Sequence, residues 1–566
     1  PRGAEQPEPK ISGFWQLRAS CGGRSSAVER LVVVQDVAGS NPVDRPTLIF
    51  PPCRSSFPAP QNLRYLRMFE ILSATEMKKA DLAAVASGTP AHVLISSAAA
   101  GLAAAIEKNV LPCRVLFLCG AGNNGADGFV AASMLAKRPG WQVRVACIVK
   151  KSALKGDAAD AAAAWEGTTE NLNSNLPVHQ TDLIVDAVFG TGFHSMLPPE
   201  LIILFDKIRA KNIPVIAVDI PSGIDATTGA IAEGTLHAGL TVTFCRKKIA
   251  HALAATREHI GRLQVVTLPI DDTQIASLNT SVFENHPALW LRDYPFPSAS
   301  AHKYSRGHVV VYGGSTRTGA ACLAAHAAQV AGAGVVSIAC APDDHSRTIY
   351  SLYRASLMVD TWQSEDEFKS LLRDERTKVA VIGPGGGHAG TEAQRLRTAT
   401  LAALSMPNKT LVLDGDVFSM FKNDPETLFA QLSPRHILTP HEGEFARLFG
   451  DLPGSKLARA RTAAKKCGAI VVLKGFDTVI AAPDGTAVIN TNGTPILATA
   501  GSGDVLAGLV AGFAAQGMPS FMAALAGVWL HADAARLHGP ALTAEDIIIN
   551  INQSVINLIR QTAENT

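Results

Sequence analysis

The chain repeats one pattern along most of its length: a short apolar run, a glycine-rich polar turn, and a helix with one apolar face. The stretch "RVLFLCGAGNNGADGFVAASMLAKR" shows it, with a strand over Val115–Cys119, a polar turn over Gly120–Gly128, and then an amphipathic helix. Strands and helices that alternate in this way predict a parallel sheet with helices on both faces. The pattern occurs in two blocks, so the sequence predicts an α/β protein of two three-layer α/β/α domains.

Composition and charge exclude some kinds of partner. The 566 residues suffice for two to four domains, and with 47% hydrophobic and 18% charged residues they can form large cores. A formal net charge of +2 gives no reason to expect a nucleic-acid or membrane surface, and no apolar run is long enough to span a bilayer. The nine cysteines form no CxxC pair, which indicates reduced core thiols and predicts a cytoplasmic protein.

Residues 1–67 differ in composition from the rest of the chain. They are rich in Pro, Ser and Arg and show no sustained periodicity, so we expect no fold there. The segments "SSAVER" and "AGSNPV" can be encoded by the D-arm and T-arm consensus sequences of a tRNA gene. One hypothesis is therefore that this leader is a tRNA gene translated in frame and that the protein begins at Met68. The alternative is a genuine disordered tail.

The first domain is predicted over residues 68–279, and its first helix should begin at Ser73, with Glu76 completing a capping box. Three polar turns follow apolar strands in this domain. Because ligands bind at the carboxyl ends of parallel strands, these turns predict one site. The run Gly120-x-Gly122-x-x-Gly125 resembles a dinucleotide fingerprint, but the next strand does not end in an acid, which disfavours a classical dehydrogenase. The turns contain residues 123–127, Asp186 with 189–192, and 219–223.

The motifs "LCGAGNNGADG", "DLIVDAVFGTG" and "VIAVDIPSGIDATTG" resemble those of the NAD(P)H-hydrate epimerase family. The resemblance implies a Rossmann-like sheet, a bound potassium ion, and interconversion of the R and S epimers of hydrated NADH or NADPH. It assigns Asp219 to acid/base catalysis beside the nicotinamide ring. It assigns Asn124, Asp186 and Ser222 to potassium. The substrate-binding positions that it implies are Asn123, Asn124, Gly125, Ala126, Asp127, Gly190, Thr191 and Gly192.

The sequence departs from the epimerase pattern in three places. Ala126 stands where the family has a second glycine, and it is expected to tighten the approach of backbone to substrate. The segments "FHSMLPPE" and "GTPAHVLISSAAAG" are also atypical. A non-catalytic binding module is therefore the alternative for this domain.

The second domain is predicted over residues 280–566, after a proline-rich linker. The turn Gly383–Gly387 follows a predicted buried strand, and the turn Gly501–Gly503 precedes a predicted helix. The second turn places backbone amides and a helix dipole where an anion can bind. Asp504 lies in the first turn of that helix. It is a candidate base, although it could simply complement the helix dipole. Likewise His441 could be an ordinary turn histidine and Lys474 a solvated lysine.

The motifs "GHVVVYGGS", "GPGGG", "LTPHEGEF", "VVLKGFDTVIA" and "NTNGTPILATAGSGDVLAGLVAG" resemble the ADP/ATP-dependent NAD(P)H-hydrate dehydratases, which are ribokinase-like. The resemblance makes Asp504 the catalytic base and assigns Ala320, Gly385 and His441 to the hydrate. Glu444 would position magnesium. The implied nucleotide-binding residues are Lys474, Gly475, Phe476, Asp477, Thr478, Gly501 and Gly503.

Together the two resemblances imply repair of hydrated NADH and NADPH, with NADHX, NADPHX and ADP or ATP as small-molecule partners and K+ and Mg2+ as cofactors. Hydroxide is a poor leaving group, so phosphorylation of the hydrate's 6-hydroxyl would allow elimination that restores the ring. The rival hypothesis is a ribokinase-like kinase of another small molecule, with a stable phosphorylated product. Ala-rich helices also permit a homo-oligomer.

Overall fold

Residues 69–564 are described by the computed structural model, and their strands form three sheets. The predicted leader and the predicted start at Met68 lie outside the described residues. The largest sheets contain seven and ten strands, one in each predicted domain. We call the parts of the chain around them the first and second lobes.

The first lobe is built on a seven-stranded sheet in the order β4-β3-β2-β5-β6-β7-β9, in which every neighbouring pair is parallel. A separate pair, β1 and β8, is also parallel. The strands are β1 (Ile71–Leu72), β2 (Arg114–Cys119), β3 (Gln142–Cys147), β4 (Thr169–Asn171), β5 (Leu183–Ala187), β6 (Val215–Val218), β7 (Leu240–Phe244), β8 (Lys247–Lys248) and β9 (Arg262–Val266). The α-helices are α1 (Ala74–Ala86), α2 (Ala91–Asn109), α3 (Asn123–Ala136), α4 (Gly156–Ala164), α5 (Pro199–Ala210), α6 (Ile249–Ala252), α7 (Arg257–Ile260) and α8 (Asp272–Ser277).

Alternate residues of β2 enter two different cores, as the two-residue period of a strand requires. Phe117 packs in the core that contains α1 to α4, whereas Leu116 and Leu118 pack in the core that contains α5. Helices therefore cover both faces of the sheet, and the predicted three-layer arrangement is confirmed in this lobe.

The second lobe has a ten-stranded sheet in the order β10-β19-β18-β17-β16-β15-β14-β11-β12-β13. The pairs β17–β18 and β18–β19 are antiparallel, and all other pairs are parallel. The strands are β10 (Val282–Glu284), β11 (His308–Tyr312), β12 (Val335–Cys340), β13 (Met358–Thr361), β14 (Thr377–Ile382), β15 (Thr410–Leu413), β16 (Ile437–Leu438), β17 (Ile470–Leu473), β18 (Val479–Ala481) and β19 (Ala487–Ile489).

Helices cover both faces of this sheet as well. Val309 and Val311 of β11 pack in one core with the helix that follows β11 and with three helices near the C-terminus, and Val310 and Tyr312 pack in the other. The helices of the lobe are α9 (Thr318–Val330), α10 (Asp344–Tyr353), α11 (Glu365–Arg373), α12 (Gly390–Leu404), α13 (Asp416–Met420), α14 (Pro425–Phe429), α15 (Glu442–Phe449), α16 (Lys456–Cys467), α17 (Ser502–Ala515), α18 (Ser520–His538) and α19 (Ala544–Glu564). Short 3-10 helices cover Lys151–Ala153, Ala254–Thr256, Pro287–Leu289, Leu291–Asp293 and Pro495–Leu497.

The predicted turn over Gly120–Gly128 is wrong in its second half, because α3 already begins at Asn123. The glycines inside α3 serve close packing rather than a turn. A Cβ atom on Gly125 would lie 2.0 Å from the carbonyl oxygen of Gly120, and one on Gly128 would lie 2.7 Å from the Cβ of Ala187. The helix can therefore start directly above the strand ends, which aims its N-terminus at the carboxyl edge of the sheet.

The two lobes contact each other through their own side chains and backbone. Lys247 forms an ion pair with Glu284 at 2.7 Å, and Arg257 stacks over the ring of Phe476 with 4.3 Å to the ring centroid. β10 begins shortly after the predicted domain boundary at residue 279 and belongs to the sheet of the second lobe. The boundary itself stays a prediction.

The cap of the first helix and the burial of the cysteines were also predicted. Ser73 is the N-cap of α1 and forms the predicted capping box with Glu76. The cysteines among the described residues are all free, and all but Cys113 are buried. Within residues 69–564, no helix combines the length and the apolar character that crossing a membrane requires.

Candidate active sites

A cleft of ≈ 930 Å³ opens at the carboxyl edge of the first sheet. Its walls include the turns after β2, β5 and β6, as the sequence predicts. Of the predicted residues, the cleft is lined by Asn123, Asn124, Asp127, Gly190, Thr191, Gly192 and Asp219. Gly190 separates two of these side chains, because a Cβ atom there would lie 3.0 Å from Asn124 Oδ1 and 3.3 Å from Asp219 Oδ2.

Gly125, Ala126, Asp186 and Ser222 do not line this cleft. Ala126 is fully buried in the core of the first lobe. Its methyl group packs in that core and does not face the cleft, so it does not support the expectation that Ala126 tightens the approach of backbone to substrate. Gly125 faces the turn at Gly120.

Asp219 is held by a buried lysine that the sequence analysis did not single out. Lys248 Nζ is 1% exposed and donates to Asp219 Oδ1 at 2.6 Å, and Thr243 Oγ1 donates to the same oxygen at 2.8 Å. His251 Nε2 donates to the backbone oxygen of Asp219 at 2.9 Å. Asp219 has φ 63°, a left-handed conformation that costs energy for a residue with a side chain, and these bonds hold it there.

The charge of Lys248 decides the ionisation of Asp219. Burial alone would raise the pKa of this carboxyl, but the Lys248 charge and the hydrogen bonds from Lys248 and Thr243 outweigh burial and hold the pKa below its usual value. Asp219 is therefore a carboxylate at neutral pH, with its second oxygen toward Gly190 and the cleft.

The pKa values of two further acids on the cleft are shifted in the opposite direction. Burial raises the pKa of Asp127 well above the usual range, and the charges of Asp219 and Asp81 raise it further. Burial, opposed by Lys248 and assisted by Asp219, raises the pKa of Asp81 to about 6. A protonated Asp127 can lie in a phosphate-binding segment without repelling the anion.

Two of the predicted potassium ligands, Asp186 and Ser222, contact each other, whereas Asn124 lines the cleft. Ser222 donates to both oxygens of the fully buried Asp186, through N at 2.8 Å and Oγ at 2.6 Å. The carbonyl oxygen of Phe189 lies 3.3 Å from Ser222 Oγ. Asn124 Nδ2 is buried without a hydrogen-bond partner, and a half-turn of its amide would place an oxygen there instead. Carboxylate, hydroxyl, carbonyl and amide oxygens suit a hard cation, so these residues fit potassium.

The second lobe has a cleft of ≈ 700 Å³ at the carboxyl edge of its sheet. Ala320, Gly385, Glu444 and Asp504, all predicted from the sequence, line it. Asp504 lies in the first turn of α17, whose N-cap Gly501 has φ 87°. Burial, together with the charges of Asp414 and Glu444 and against that of Lys474, raises the pKa of Asp504 to about 7. A carboxyl with that pKa can take up and release a proton near neutral pH.

Lys474 is not a solvated lysine. Its Nζ donates to Asp414 Oδ1 at 2.7 Å and lies 3.7 Å from Glu444 Oε2, with the side chain 17% exposed. Burial lowers the pKa of Lys474, but the charges of Asp414, Glu444 and Asp504 outweigh burial and raise it above the usual value. A Cβ atom on Gly503 would lie 3.2 Å from Lys474 Nζ, so the glycine lets the lysine reach the start of α17.

The predicted nucleotide-binding segment, residues 474–478, partly serves the contact between lobes. Thr478 Oγ1 accepts from Gly475 N at 3.1 Å and closes a tight turn. Both carboxylate oxygens of Asp477 are engaged, one by Lys456 Nζ at 2.8 Å and the other by Ala254 N of the first lobe at 2.9 Å. Asp477 and Phe476 therefore hold the segment in place, and the predicted direct contact of either side chain with a nucleotide remains untested.

His441 does not line the cleft. It is the N-cap of α15, where its Nδ1 accepts from Gly443 N at 3.0 Å, and Glu444 completes the capping box by accepting from His441 N at 2.8 Å. These contacts match the alternative interpretation, in which His441 is an ordinary turn histidine. Its ring is 54% exposed.

Magnesium has few protein ligands available in this lobe. Among residues with described side chains, no group of three or more His, Cys, Asp or Glu is arranged to hold a metal. Mg2+ is commonly bound through one or two carboxylates together with substrate phosphates, so Glu444 on the cleft wall fits such a role.

Three residues of these sites, Lys248, Asp81 and Asp414, were not predicted from the sequence. Asp414 directly follows β15 in "LDGDVF". Because ligands bind at the carboxyl ends of parallel strands, an acid at that position could have been predicted as a site residue. Lys248 offered no such signal, because a lysine in "CRKKIAHA" looks like a solvated residue.

Comparison with known proteins gives matches for both lobes. A family model described as "NAD(P)H-hydrate dehydratase" matches residues 308–551, and one described as "YjeF-related protein N-terminus" matches residues 91–250. The "Bifunctional NAD(P)H-hydrate repair enzyme Nnr" of Moorella thermoacetica is 34% identical over 84% of this chain and 95% of its own length. The protein of the same name from Escherichia coli is 32% identical over 74% and 80%. A solved structure of the ADP/ATP-dependent NAD(P)H-hydrate dehydratase from Bacillus subtilis, co-crystallized with ATP and Mg2+, is 26% identical, covers 46% of this chain and 94% of that chain, and has a TM-score of 0.38.

The pair between Asp219 and Lys248 should be essential for the stability of the first lobe. Lys248→Met leaves a buried carboxylate without its cation, so it should lower the free energy of unfolding by about 3–5 kcal/mol at neutral pH. Adding Asp219→Asn should recover part of that loss, because no buried charge then remains. A double-mutant cycle by denaturant unfolding measures the coupling.

Lys247→Met is the matched control, because the Lys247 side chain is 30% exposed and its loss should cost less than about 1 kcal/mol. Since the pKa of Asp219 is lowered in the folded state, the contribution of the pair should be complete above the usual carboxyl pKa, about 4, and should disappear as the pH falls through the lowered value. Equal losses for the two lysines at neutral pH would contradict this assignment.

Proposed function

The chain belongs to the family of bifunctional NAD(P)H-hydrate repair enzymes, and we propose that it restores hydrated NADH and NADPH in two steps. The first lobe interconverts the R and S epimers, and the second dehydrates the S epimer at the expense of ADP or ATP. The observation that carries the proposal is the position of Asp504, which lies on a cleft at the start of α17 with its pKa raised to about 7. The likeness of nearly the whole described chain to repair enzymes supports it.

In the second lobe, Asp504 takes the proton of the hydrate's 6-hydroxyl as the hydroxyl oxygen attacks the terminal phosphorus of the nucleotide. The oxygen-phosphorus bond forms and the bond to the nucleotide's leaving oxygen breaks. Backbone amides at the start of α17 and the charge of Lys474 stabilise the negative charge on the phosphoryl group. Phosphate then leaves carbon 6 with loss of a proton from carbon 5, and the ring double bond of NADH or NADPH returns.

In the first lobe, the reaction breaks and remakes the bond between carbon 6 and the hydroxyl oxygen. Asp219 as a carboxylate stabilises the cationic ring that remains when hydroxide has left. It takes a proton from the water that adds to the opposite face, and in the reverse step it returns this proton to the leaving group. Lys248 keeps Asp219 charged, and Asp127, whose pKa burial raises, lies on the same cleft.

We further propose that Asn124, Asp186 and Ser222 hold K+, and that Glu444 positions Mg2+ with the nucleotide phosphates. When bound, these cations would supply positive charge to the substrate groups that they contact. The lobe bounds 68–279 and 280–566, a cytoplasmic location and a homo-oligomeric state belong to the same proposal. Scattered free thiols are typical of a reducing compartment.

The full-length protein supplied with S-NADHX, ADP and Mg2+ should restore the near-ultraviolet absorbance of NADH. Asp504→Asn should lower this rate by at least about 100-fold, because a general base contributes on that scale. It should leave conversion of the R to the S epimer intact. Asp219→Asn should instead slow conversion of the R to the S epimer and leave dehydration of the S epimer intact. Asp451→Asn, which removes an exposed acid of the second lobe, is the control. A stable phosphorylated product without NADH would instead identify a kinase.

The rate of dehydration should rise with pH, with a midpoint near 7, because only ionised Asp504 can accept the proton and its pKa is about 7. Asp414→Asn removes a charge that raises this pKa and frees Lys474, which lowers it. The midpoint should therefore move to lower pH. The epimerase rate of the same chain controls for folding, and a midpoint near 4 in the unmodified protein would contradict the raised pKa of Asp504.

Potassium should bind the first lobe with measurable consequences for stability and rate. Replacing K+ with tetramethylammonium should slow epimerisation and lower the unfolding temperature, because a ligand of the folded state stabilises it. Dehydration of S-NADHX should be unaffected. Ser222→Ala should raise the K+ concentration required for both effects. Ser133→Ala is the matched control, since Ser133 Oγ donates to the helix backbone at Phe129 O, at 3.0 Å, and Ser133 is not among the predicted potassium ligands. Identical rates in both salts would contradict the potassium assignment.

A further inference from the structure

Three cations on the wall of the second cleft have no role in the chemistry described so far. Arg317, Lys422 and Arg447 all line the cleft that contains Asp504. All three side chains are exposed. Among the residues with described side chains, none of the three has an ion pair or a side-chain hydrogen bond.

This lack of partners is unusual for the neighbourhood. Other arginines and lysines close to the site are paired, such as Arg459 with Glu442 at 2.7 Å and Lys456 with Asp477 at 2.8 Å. Two acids on the same cleft wall accept hydrogen bonds from backbone amides. Glu444 accepts from His441 N and Asp416 accepts from Gly387 N at 3.0 Å. Among the described side chains, the three cations therefore form no ion pair with the acids that line this cleft.

The positions of the cations follow from the fold. Arg317 is the N-cap of α9, one turn before the cleft residue Ala320. Arg447 lies one helical turn after Glu444 on α15, and residues three apart on a helix share a face. Lys422 follows α13, the helix that carries the cleft residue Asp416. Three separate segments at the carboxyl edge thus each contribute one cation.

This cleft contains positions assigned to the hydrate, and Glu444, proposed to position Mg2+, also lies on its wall. Its lining includes Ala320 and Gly385, but none of residues 474–478 lines it. A hydrated dinucleotide that presents carbon 6 to Asp504 must place its pyrophosphate, and in NADPHX its 2′-phosphate, somewhere along this wall. Arginine and lysine are the side chains that bind phosphate oxygens most strongly.

We propose that Arg317, Lys422 and Arg447 bind the phosphate groups of the hydrated dinucleotide and so place its ring at Asp504. The proposal rests on the proposed function of the second lobe. It assigns substrate-binding residues that determine affinity for the hydrate and do not affect affinity for the phosphoryl donor. Any of the three that contacts the 2′-phosphate also sets the preference between NADPHX and NADHX.

The test compares Arg317→Gln, Lys422→Gln, Arg447→Gln and the triple variant with the unmodified protein. Each single change should raise KM for the S hydrate about 10-fold, the effect of losing one charged hydrogen bond. KM for ADP and kcat should stay within about two-fold of their original values. Arg373→Gln and Lys465→Gln are the matched controls, because both remove exposed cations of the same lobe that do not line the cleft.

Comparing KM for NADHX with KM for NADPHX shows which phosphate group each cation binds. A variant that raises KM for NADPHX and not for NADHX identifies the ligand of the 2′-phosphate, and one that raises both identifies a ligand of the pyrophosphate. An unchanged KM for both hydrates in the triple variant would overturn the proposal. So would an equal rise in KM for ADP, because the cations would then serve the donor.

Binding of inorganic pyrophosphate tests the proposal independently of activity. Calorimetry on protein saturated with ADP should show pyrophosphate binding that the triple variant loses and the control variants keep. If the unmodified protein restores no NADH but binds pyrophosphate in this way, the proposed function fails and the anion site stands. If it restores NADH but binds no pyrophosphate at this wall, the anion site fails alone.

Discussion

Each lobe buries carboxylates at the carboxyl edge of its sheet, and in each lobe one lysine makes that burial possible. A buried unpaired carboxylate costs several kcal/mol, so these acids must be paired or protonated. Lys248 neutralises Asp219 in the first lobe, and Lys474 neutralises Asp414 in the second. The strained backbone of Asp219 and the close approach of Lys474 to Gly503 both depend on these pairs.

The two lysines leave their acids in different states, and the difference matches the chemistry assigned to each lobe. Lys248 has one strong partner and holds the pKa of Asp219 below its usual value. Lys474 is shared by three carboxylates and bonds to Asp414, so it compensates Asp504 only in part, and the pKa of Asp504 rises to about 7. A permanent carboxylate suits stabilisation of a cationic ring, whereas a carboxyl that titrates near neutrality suits proton transfer from a hydroxyl.

The alternation of apolar runs and polar turns was sufficient to predict two α/β sheets and the edge at which both clefts lie. It could not predict which glycines form turns, because Gly125 and Gly128 are helical and are glycines only to let α3 approach β2. It also could not identify Lys248. This lysine belongs to β8, which pairs with β1 from a distant part of the chain, and its Nζ bonds to Asp219. Local pattern contains no information about such a pairing.

The contact between lobes was equally invisible in the sequence, and it bears on why two activities occur in one chain. Asp477 is bonded both to Lys456 of its own lobe and to the backbone of Ala254 in the first lobe. Phe476 lies under Arg257, also from the first lobe. The segment proposed to bind the nucleotide is therefore supported from both sides, and separation of the lobes would remove one of the two hydrogen-bond donors to a buried carboxylate. The first lobe therefore contributes directly to holding this segment in its conformation in the intact chain. Fusion in this chain thus supplies a structural support as well as a second active site.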